Sequence, residues 1–145
     1  MIAVDTNVLV HAHRADSPWH EAASARLREL AESALPWAVP WPCLHEFLAT
    51  VTHPRIFRTP TPLEKALAQV DLWIESPALE VLGEGPSYWP TLRDQLAAGS
   101  VVGPLVHDAR IAAICIEHAV DELWTADRDF SRFPRLRTRN PLLGK

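Results

Sequence analysis

Short apolar runs alternate with longer segments of helical spacing, and this alternation is the feature that most restricts the fold of the chain. Four short runs predict β-strands: residues 2 to 4, 37 to 41, 79 to 82 and 122 to 125. In the segments between them, apolar residues recur every three or four positions, the spacing of a helix face. Strands that alternate with helices form a parallel sheet covered by helices. The sequence therefore predicts one α/β domain over residues 1 to 145, with a central, mostly parallel sheet in a three-layer arrangement.

The helical segments carry local start and stop signals. Ser17 and Pro18 favour the start of a helix that runs to about residue 33, and Gly99 ends a helix predicted from residue 87 to 98. Residues 61 to 64, Thr-Pro-Leu-Glu, fit a capping box with proline at the first helical position. The apolar stripe predicted for the helix that follows consists of Leu63, Leu67, Val70 and Ile74. Prolines in the second strand, residues 37 to 41, should confine that strand to an edge of the sheet or to a strand end.

Acidic residues stand where ligand sites form in α/β proteins, outside the carboxyl ends of the strands. Asp5 follows the first strand, and Asp127 and Asp129 follow the last, so three carboxylates are expected at one edge of the sheet. Glu46 lies in an apolar helical stretch, and Asp108 heads an almost wholly apolar helix. Taken singly, each acid is more readily explained as a helix cap or a solvent-facing side chain. Their joint placement favours a common site.

Four or five carboxylates cannot all stay ionised in one pocket unless a cation is present, because burial and like-charge repulsion raise their pKa values. A ligand set made only of oxygens suits Mg²⁺ or Mn²⁺. Such an ion can activate water and neutralise phosphate oxygens, so hydrolysis of a phosphodiester is the reaction that this pattern favours.

Composition excludes other classes of protein. The net charge of −4 argues against binding of nucleic acid by charge alone, although six of the fourteen basic residues lie in the last eighteen positions and could form a basic edge beside the acids. No apolar run approaches the roughly 20 residues that span a bilayer, and residues 1 to 10 do not resemble a targeting peptide, so we expect a cytoplasmic protein. Cys43 and Cys115 are far apart in apolar helical patterns and are expected in the core.

Three further polar residues have alternative interpretations. His45 and His107 each precede a candidate acid, but neighbouring residues on a helix point about 100° apart, so neither is expected to share the site. Arg110 could orient a phosphate or pair with Asp108.

An ordered set of motifs spans the chain: DTNVLV from residue 5, Glu46, HDARIAA at 107 to 113 and TADRDFSRF at 125 to 133. In this set the chain resembles the PIN-domain ribonucleases of the VapC toxin family. The resemblance implies a PIN fold, cleavage of RNA that depends on Mg²⁺ or Mn²⁺, a VapB-type antitoxin as partner and a bacterial or archaeal cytosol.

The resemblance also assigns roles to residues. It places the catalytic, metal-binding acids at Asp5, Glu46, Asp108 and Asp127. Asp129 falls at a position that is acidic in many members, and we expect it to support the site or to bind the metal through water. The remaining residues expected to support the ligands are Thr6, Asn7 and Thr125.

Two other functions stay open on the sequence. A phosphatase that forms an aspartyl-phosphate at Asp5 would also place an acid after its first strand, but Asn7 stands where that class usually has a second aspartate. A PIN-like interaction module without metal is the second alternative, and the retained acids argue against it. Helices near the start of the chain and at 62 to 76 could present apolar surface for a homodimer or an antitoxin helix.

Overall fold

Residues 1–144 are described by a computed structural model, and their sheet contains five strands in the order β3-β2-β1-β4-β5. All four neighbouring strand pairs are parallel. The strands are β1 (Ile2–Val4), β2 (Trp37–Pro40), β3 (Leu79–Leu82), β4 (Glu122–Trp124) and β5 (Thr138–Arg139). Six α-helices flank the sheet: α1 (Thr6–His13), α2 (His20–Glu32), α3 (Trp41–Val51), α4 (Leu63–Ile74), α5 (Tyr88–Gly99) and α6 (Leu105–Glu117). The predicted α/β class with a parallel central sheet is confirmed.

The core lies between the sheet and its helices. The central strands β1, β2 and β4 are almost entirely buried, and α6 contributes six consecutive or near-consecutive buried residues from Ala109 to Cys115. Cys43 and Cys115 are both buried, as the sequence predicts. Within residues 1–144, no helix combines the length and the apolar character needed to cross a bilayer.

Strand β2 lies inside the sheet, between β1 and β3, and not at an edge. Pro40 is its last residue and the N-cap of α3, so its missing N–H interrupts no ladder in the middle of the strand. Of the two positions predicted for this proline-containing strand, the strand end is the one observed.

One predicted helix start and one predicted helix cap are wrong. The second helix begins at His20 and not at Ser17, because the Ser17 hydroxyl accepts a hydrogen bond from the Trp19 N–H within a turn. No capping box forms at α4, whose N-cap is Pro62 without a side-chain hydrogen bond. The hydroxyl of Thr61 instead contacts the side chains of His13 and Arg14 and ties the start of α4 to the end of α1.

The apolar stripe predicted for α4 is also wrong in its orientation. Val70 is buried as predicted, but Leu63 is 63% exposed and Leu67 is 45% exposed. The buried face instead combines Val70 with Ala66, and the Trp73 ring packs edge-on against Phe47 of α3 with ring centroids 4.8 Å apart. The small side chain at residue 66 permits close packing against α3, so α4 is rotated by about one residue from the predicted face.

Two elements after β4 carried no recognisable sequence signal. A 3-10 helix spans Arg128–Arg132, and its Phe130 ring is buried in the core. Strand β5 has only two residues, both exposed; the Thr125 N–H donates to the carbonyl of Arg139 in β5, and the Leu123 N–H donates to the carbonyl of Arg137 just before it. Backbone pairing, rather than an apolar pattern, therefore places β5 beside the carboxyl end of β4.

Candidate metal centre

Asp5 is the buried centre of the acidic edge, with only 4% of its surface exposed. It follows β1 directly and caps α1, since its Oδ1 accepts a hydrogen bond from the Thr6 N–H at 2.8 Å. Its Oδ2 accepts from the Thr125 hydroxyl at 2.8 Å and from the Asn7 side-chain amide at 3.2 Å. The Cys43 thiol donates a longer contact of 3.5 Å to Oδ1. Several donors thus fix the orientation of this carboxylate.

The charge on Asp5 is nevertheless unfavourable in the absence of a cation. Burial raises the pKa of Asp5 above its ordinary value, and the hydrogen bonds from Thr125, Thr6 and Cys43 offset only part of that effect. The nearby Glu46 carboxylate adds repulsion in the same direction. A buried carboxylate in this state gains stability from a proton or from a bound cation.

A hydrogen-bond network joins the ends of β1 and β4. The Thr125 hydroxyl accepts from the Asn7 amide at 3.2 Å and from the backbone N–H of Asp127 at 2.9 Å while it donates to Asp5. Asn7 Oδ1 accepts from the backbone N–H of Ala126 at 3.0 Å. These contacts connect the Asp5 carboxylate to the backbone of the turn that carries Asp127.

Three aspartates form a group in which one carboxylate oxygen of each lies within 4.8 Å of the others: Asp108, Asp127 and Asp129. Asp108 stands in the first turn of α6, and the other two bracket the start of the 3-10 helix. Asp127 Oδ1 also accepts from the backbone N–H of Asp129 at 2.8 Å, which fixes the turn. Asp129, expected from the sequence to be a supporting residue, thus lies close enough to Asp108 and Asp127 for one ion to contact all three.

Asp108 has a raised pKa because it is partly buried and four other acids lie near it. Burial, followed by repulsion from Asp127, Asp5, Asp129 and Glu46 in that order, raises the pKa of Asp108 from 3.8 to about 6. Repulsion of this kind requires proximity, since solvent screens charges that lie far apart. Residues from four different elements therefore contribute negative charge to one place.

Glu46 lies on the exposed side of the site. Its Oε2 accepts from the Thr6 hydroxyl at 2.9 Å, which connects α3 to the first residue of α1. A pocket of about 290 Å³ opens between these elements, and Asp5, Glu46, Asp108 and Asp127 all line it. The four predicted catalytic acids are therefore brought together around one cavity.

The donor set fits a hard divalent cation. The pocket offers carboxylate oxygens from several elements, together with the hydroxyl and amide groups of Thr6 and Asn7. Burial raises the pKa of the Cys43 thiol well above its usual range, so Cys43 remains protonated and is a poor metal ligand. Oxygen ligands without thiolate suit Mg²⁺, Mn²⁺ or Ca²⁺ rather than zinc.

Neither of two ion pairs that the sequence permits forms within residues 1–144. The Arg110 guanidinium donates to Glu84 Oε2 at 2.7 Å and not to Asp108. Arg110 does not line the acidic pocket. No ion pair joins Asp129 to Arg132 within residues 1–144.

Sequence reasoning missed two residues that line the pocket, His11 and Thr50. His11 stands four residues after Asn7 on α1, and Thr50 stands four residues after Glu46 on α3, so each shares a helix face with a predicted site residue. The His11 ring is held by a 2.7 Å hydrogen bond between Nδ1 and the Ser17 hydroxyl, and burial lowers its pKa. Helical spacing from the predicted site residues Asn7 and Glu46 was the signal that could have identified both.

Comparisons with known proteins identify the family of this chain. A family model described as PIN domain matches residues 2–136. The VapC ribonuclease Mb2897 of Mycobacterium bovis is 38% identical over 145 residues, which cover 100% of this chain and 98% of that protein.

Solved structures of two relatives share the fold. A VapBC2 structure from Rickettsia felis, bound to a DNA fragment from its promoter, has a TM-score of 0.67 at 22% identity and covers 96% of this chain and 98% of that one. VapC20 of Mycobacterium tuberculosis, described as a Sarcin-Ricin loop cleaving toxin, has a TM-score of 0.68 at 15% identity and covers 90% of this chain and 93% of that one.

Proposed function

Because this chain belongs to the PIN-domain family, among its VapC ribonucleases, we propose that it is a metal-dependent ribonuclease toxin that hydrolyses RNA phosphodiester bonds. The observation that supports this most strongly is the convergence of carboxylates on one pocket, with three oxygens within 4.8 Å of one another and the buried Asp5 beside them. Without a cation, this concentration of charge is unfavourable.

The proposed ligands of the cation are Asp5, Asp108, Asp127 and Glu46. PIN-domain ribonucleases generally depend on a divalent metal, and we propose Mg²⁺ or Mn²⁺ here because both accept carboxylate and water ligands. When bound, such an ion supplies positive charge for phosphate oxygens and activates water for attack. Asp129 is either a fourth aspartate ligand or a residue that orients Asp127 through the turn.

The chain's own residues prepare the site for this role. Thr125 and Asn7 hold Asp5 Oδ2 by hydrogen bonds, so the carboxylate needs little reorganisation when an ion binds. Glu46 Oε2 is held by the Thr6 hydroxyl, whereas Oε1 makes no hydrogen bond within the described residues 1–144. Glu46 Oε1 is the atom proposed to accept a proton from the attacking water.

The remaining assignments concern partners and location. We propose that residues 1–145 act as a single PIN domain in the cytoplasm, with RNA as substrate and a VapB-type antitoxin as inhibitor. A chain of the VapBC2 structure has the same fold, and the exposed Leu63 and Leu67 on α4 provide apolar surface for an antitoxin helix or a homodimer. Self-association and antitoxin binding of Leu67→Gln test which of these two partners covers the exposed face of α4.

The decisive experiment incubates purified protein with end-labelled RNA in Mg²⁺, in Mn²⁺ and in EDTA. Wild-type protein should cleave only with metal, and Asp5→Asn should not cleave. Asp94→Asn, an exposed change on α5, is the matched control and should cleave normally. Full cleavage in EDTA would refute the metal mechanism. Release of phosphate from a phosphomonoester without RNA cleavage would favour the phosphatase alternative, and inactivity under all conditions would favour a metal-free interaction module.

A further inference from the structure

A second cavity, of about 480 Å³, lies beside the acidic pocket, and Asp127 lines both. We call it the tail cleft, because it opens between the 3-10 helix Arg128–Arg132 and the residues that follow β5. Its polar lining includes Arg128, Ser131, Thr138, Arg139 and Asn140. The two cavities therefore share one lining residue but differ in the charge of their other lining residues.

Backbone pairing positions Arg139 at the same edge of the sheet as the acids. Arg139 is the register partner of Trp124 in β4, and its carbonyl accepts from the Thr125 N–H at 2.9 Å. Thr125 in turn donates to Asp5. Arg128 directly follows Asp127 in the 3-10 helix, so the two arginines line the tail cleft from different elements, and Arg128 adjoins a proposed metal ligand.

The tail cleft is electrostatically suited to an anion. Arg128 and Arg139 both line it, and among the described residues 1–144 Asp127 is the only acidic residue that does so. Within residues 1–144, neither Arg128 nor Arg139 forms an ion pair, so their charges are available to a ligand.

The uncharged lining suits a sugar-phosphate backbone. Hydroxyl groups come from Ser131 and Thr138, and Asn140 uses Oδ1 to accept from the Leu142 N–H, which leaves its amide NH₂ available to donate. Arginine, hydroxyl and amide side chains are the groups that most often contact phosphate and sugar in nucleic-acid complexes.

We propose that the tail cleft binds the RNA backbone on one side of the scissile phosphate, with Arg128 and Arg139 contacting phosphate oxygens of the flanking nucleotides. This assignment rests on the proposed ribonuclease function and adds the path of the substrate. It also explains how a chain of net charge −4 attracts a polyanion: the acids bind the metal, and the adjoining arginines bind the strand. These arginines position the substrate and are not catalytic.

The test compares Arg128→Gln and Arg139→Gln with Arg137→Gln as the matched control. Arg137 lies next to β5 and carries the same charge, but it does not line the tail cleft, and its charge acts on Asp121 at the opposite end of β4. All three arginines are exposed, so none of the substitutions should unfold the protein. Melting temperatures provide the check.

The first readout is kinetic. The cleavage site is first mapped by sequencing the products of a long RNA. Two oligonucleotides that contain the scissile bond are then made, one with its flanking nucleotides mainly on the 5′ side and the other with them mainly on the 3′ side. Arg128→Gln and Arg139→Gln should each raise KM on the order of fivefold, the upper range for an exposed ion pair, and leave kcat unchanged. The effect should occur with one oligonucleotide and not with the other. Equal effects on both oligonucleotides, or an equal effect of Arg137→Gln, would overturn the proposal.

The second readout needs no cleavage, and it separates this proposal from the proposed function. Binding of a fluorescent single-stranded RNA of mixed sequence is measured by anisotropy at several salt concentrations, with Asp108→Asn as the background to reduce repulsion. The slope of log affinity against log salt should fall by about 0.7 for each arginine removed from the tail cleft. An unchanged slope would overturn the cleft assignment even if the wild type cleaves RNA. A lower slope in this background, together with no RNA cleavage by the wild-type protein in Mg²⁺ or Mn²⁺, would support the cleft and refute the ribonuclease proposal.

Discussion

Replacement of Asp108 by asparagine should stabilise the metal-free protein at neutral pH. Burial and the repulsion of four other acids raise the pKa of Asp108 to about 6, so this carboxyl group binds protons more tightly in the folded chain than in the unfolded one. The free energy of unfolding therefore falls as the pH rises from about 4 to about 6, because the unfolded chain ionises first. Above that range the full penalty of the charged group remains until a cation binds.

The size of the effect follows from the shift in pKa. At about 1.4 kcal/mol for each pKa unit, the shift from 3.8 to about 6 sets an upper limit of about 3 kcal/mol. Because the Asp108 side chain is only partly buried, solvent screening reduces the expected gain to about 1 to 2 kcal/mol. For a chain of this size, that gain raises the melting temperature of Asp108→Asn by about 3 to 6 °C at pH 8.

The assay is thermal unfolding of wild type, Asp108→Asn and the exposed control Asp94→Asn in EDTA between pH 4 and 8. The difference between Asp108→Asn and wild type should be near zero at pH 4 and should reach its full value by pH 7. Asp94→Asn should follow the wild type throughout. Added Mn²⁺ should raise the melting temperature of the wild type much more than that of Asp108→Asn. A variant that is less stable than the wild type at pH 8, or a difference that does not depend on pH, would refute the reasoning.

Three other predictions follow from the site and its surface. Thr125→Val removes a buried hydroxyl that donates to Asp5 and accepts from the backbone N–H of Asp127, so it should lower the free energy of unfolding by about 2 kcal/mol and weaken metal binding. Thr125→Ser keeps the hydroxyl and should retain the stability and the metal binding of the wild type, and unfolding in urea checks the stability. Asp127→Asn should reduce Mn²⁺ affinity and RNA cleavage about tenfold more than Asp129→Asn, because Asp127 lines the acidic pocket and, within residues 1–144, Asp129 does not. Equal losses would identify both as direct ligands. Leu67→Gln on the exposed face of α4 should change the free energy of unfolding by less than about 0.5 kcal/mol. It should weaken self-association in sedimentation or binding of a co-expressed antitoxin, and unchanged association would exclude this face as the binding surface.

The acidic site was largely predictable because its residues follow strand ends. Asp5 comes after β1 and Asp127 comes after β4, and the carboxyl ends of parallel strands share one edge. Asp108 and Glu46 could be added because an acid in an apolar helical pattern is unfavourable without a partner. Their roles as metal ligands stay predictions until a metal is measured in the site.

Other features depended on partners that the sequence does not identify. The predicted stripe on α4 includes three positions that are exposed, Leu63, Leu67 and Ile74, and the helix instead buries Ala66 together with Val70. Strand β5 has no apolar residue, and backbone hydrogen bonds from Leu123 and Thr125 place it in the sheet. The tail cleft was therefore invisible to sequence analysis, although the arginines that line it were recognised as part of a basic edge.

The most direct test of the central claim is the anomalous scattering of Mn²⁺ in crystals of the wild-type protein. We expect a peak in the acidic pocket that marks a Mn²⁺ ion bound by carboxylate oxygens of Asp108 and Asp127 and within reach of Asp5. Crystals of Asp108→Asn grown in the same way should show no such peak. A wild-type crystal that shows no peak at these carboxylates, while protein from the same preparation cleaves RNA with Mn²⁺, would contradict the central claim.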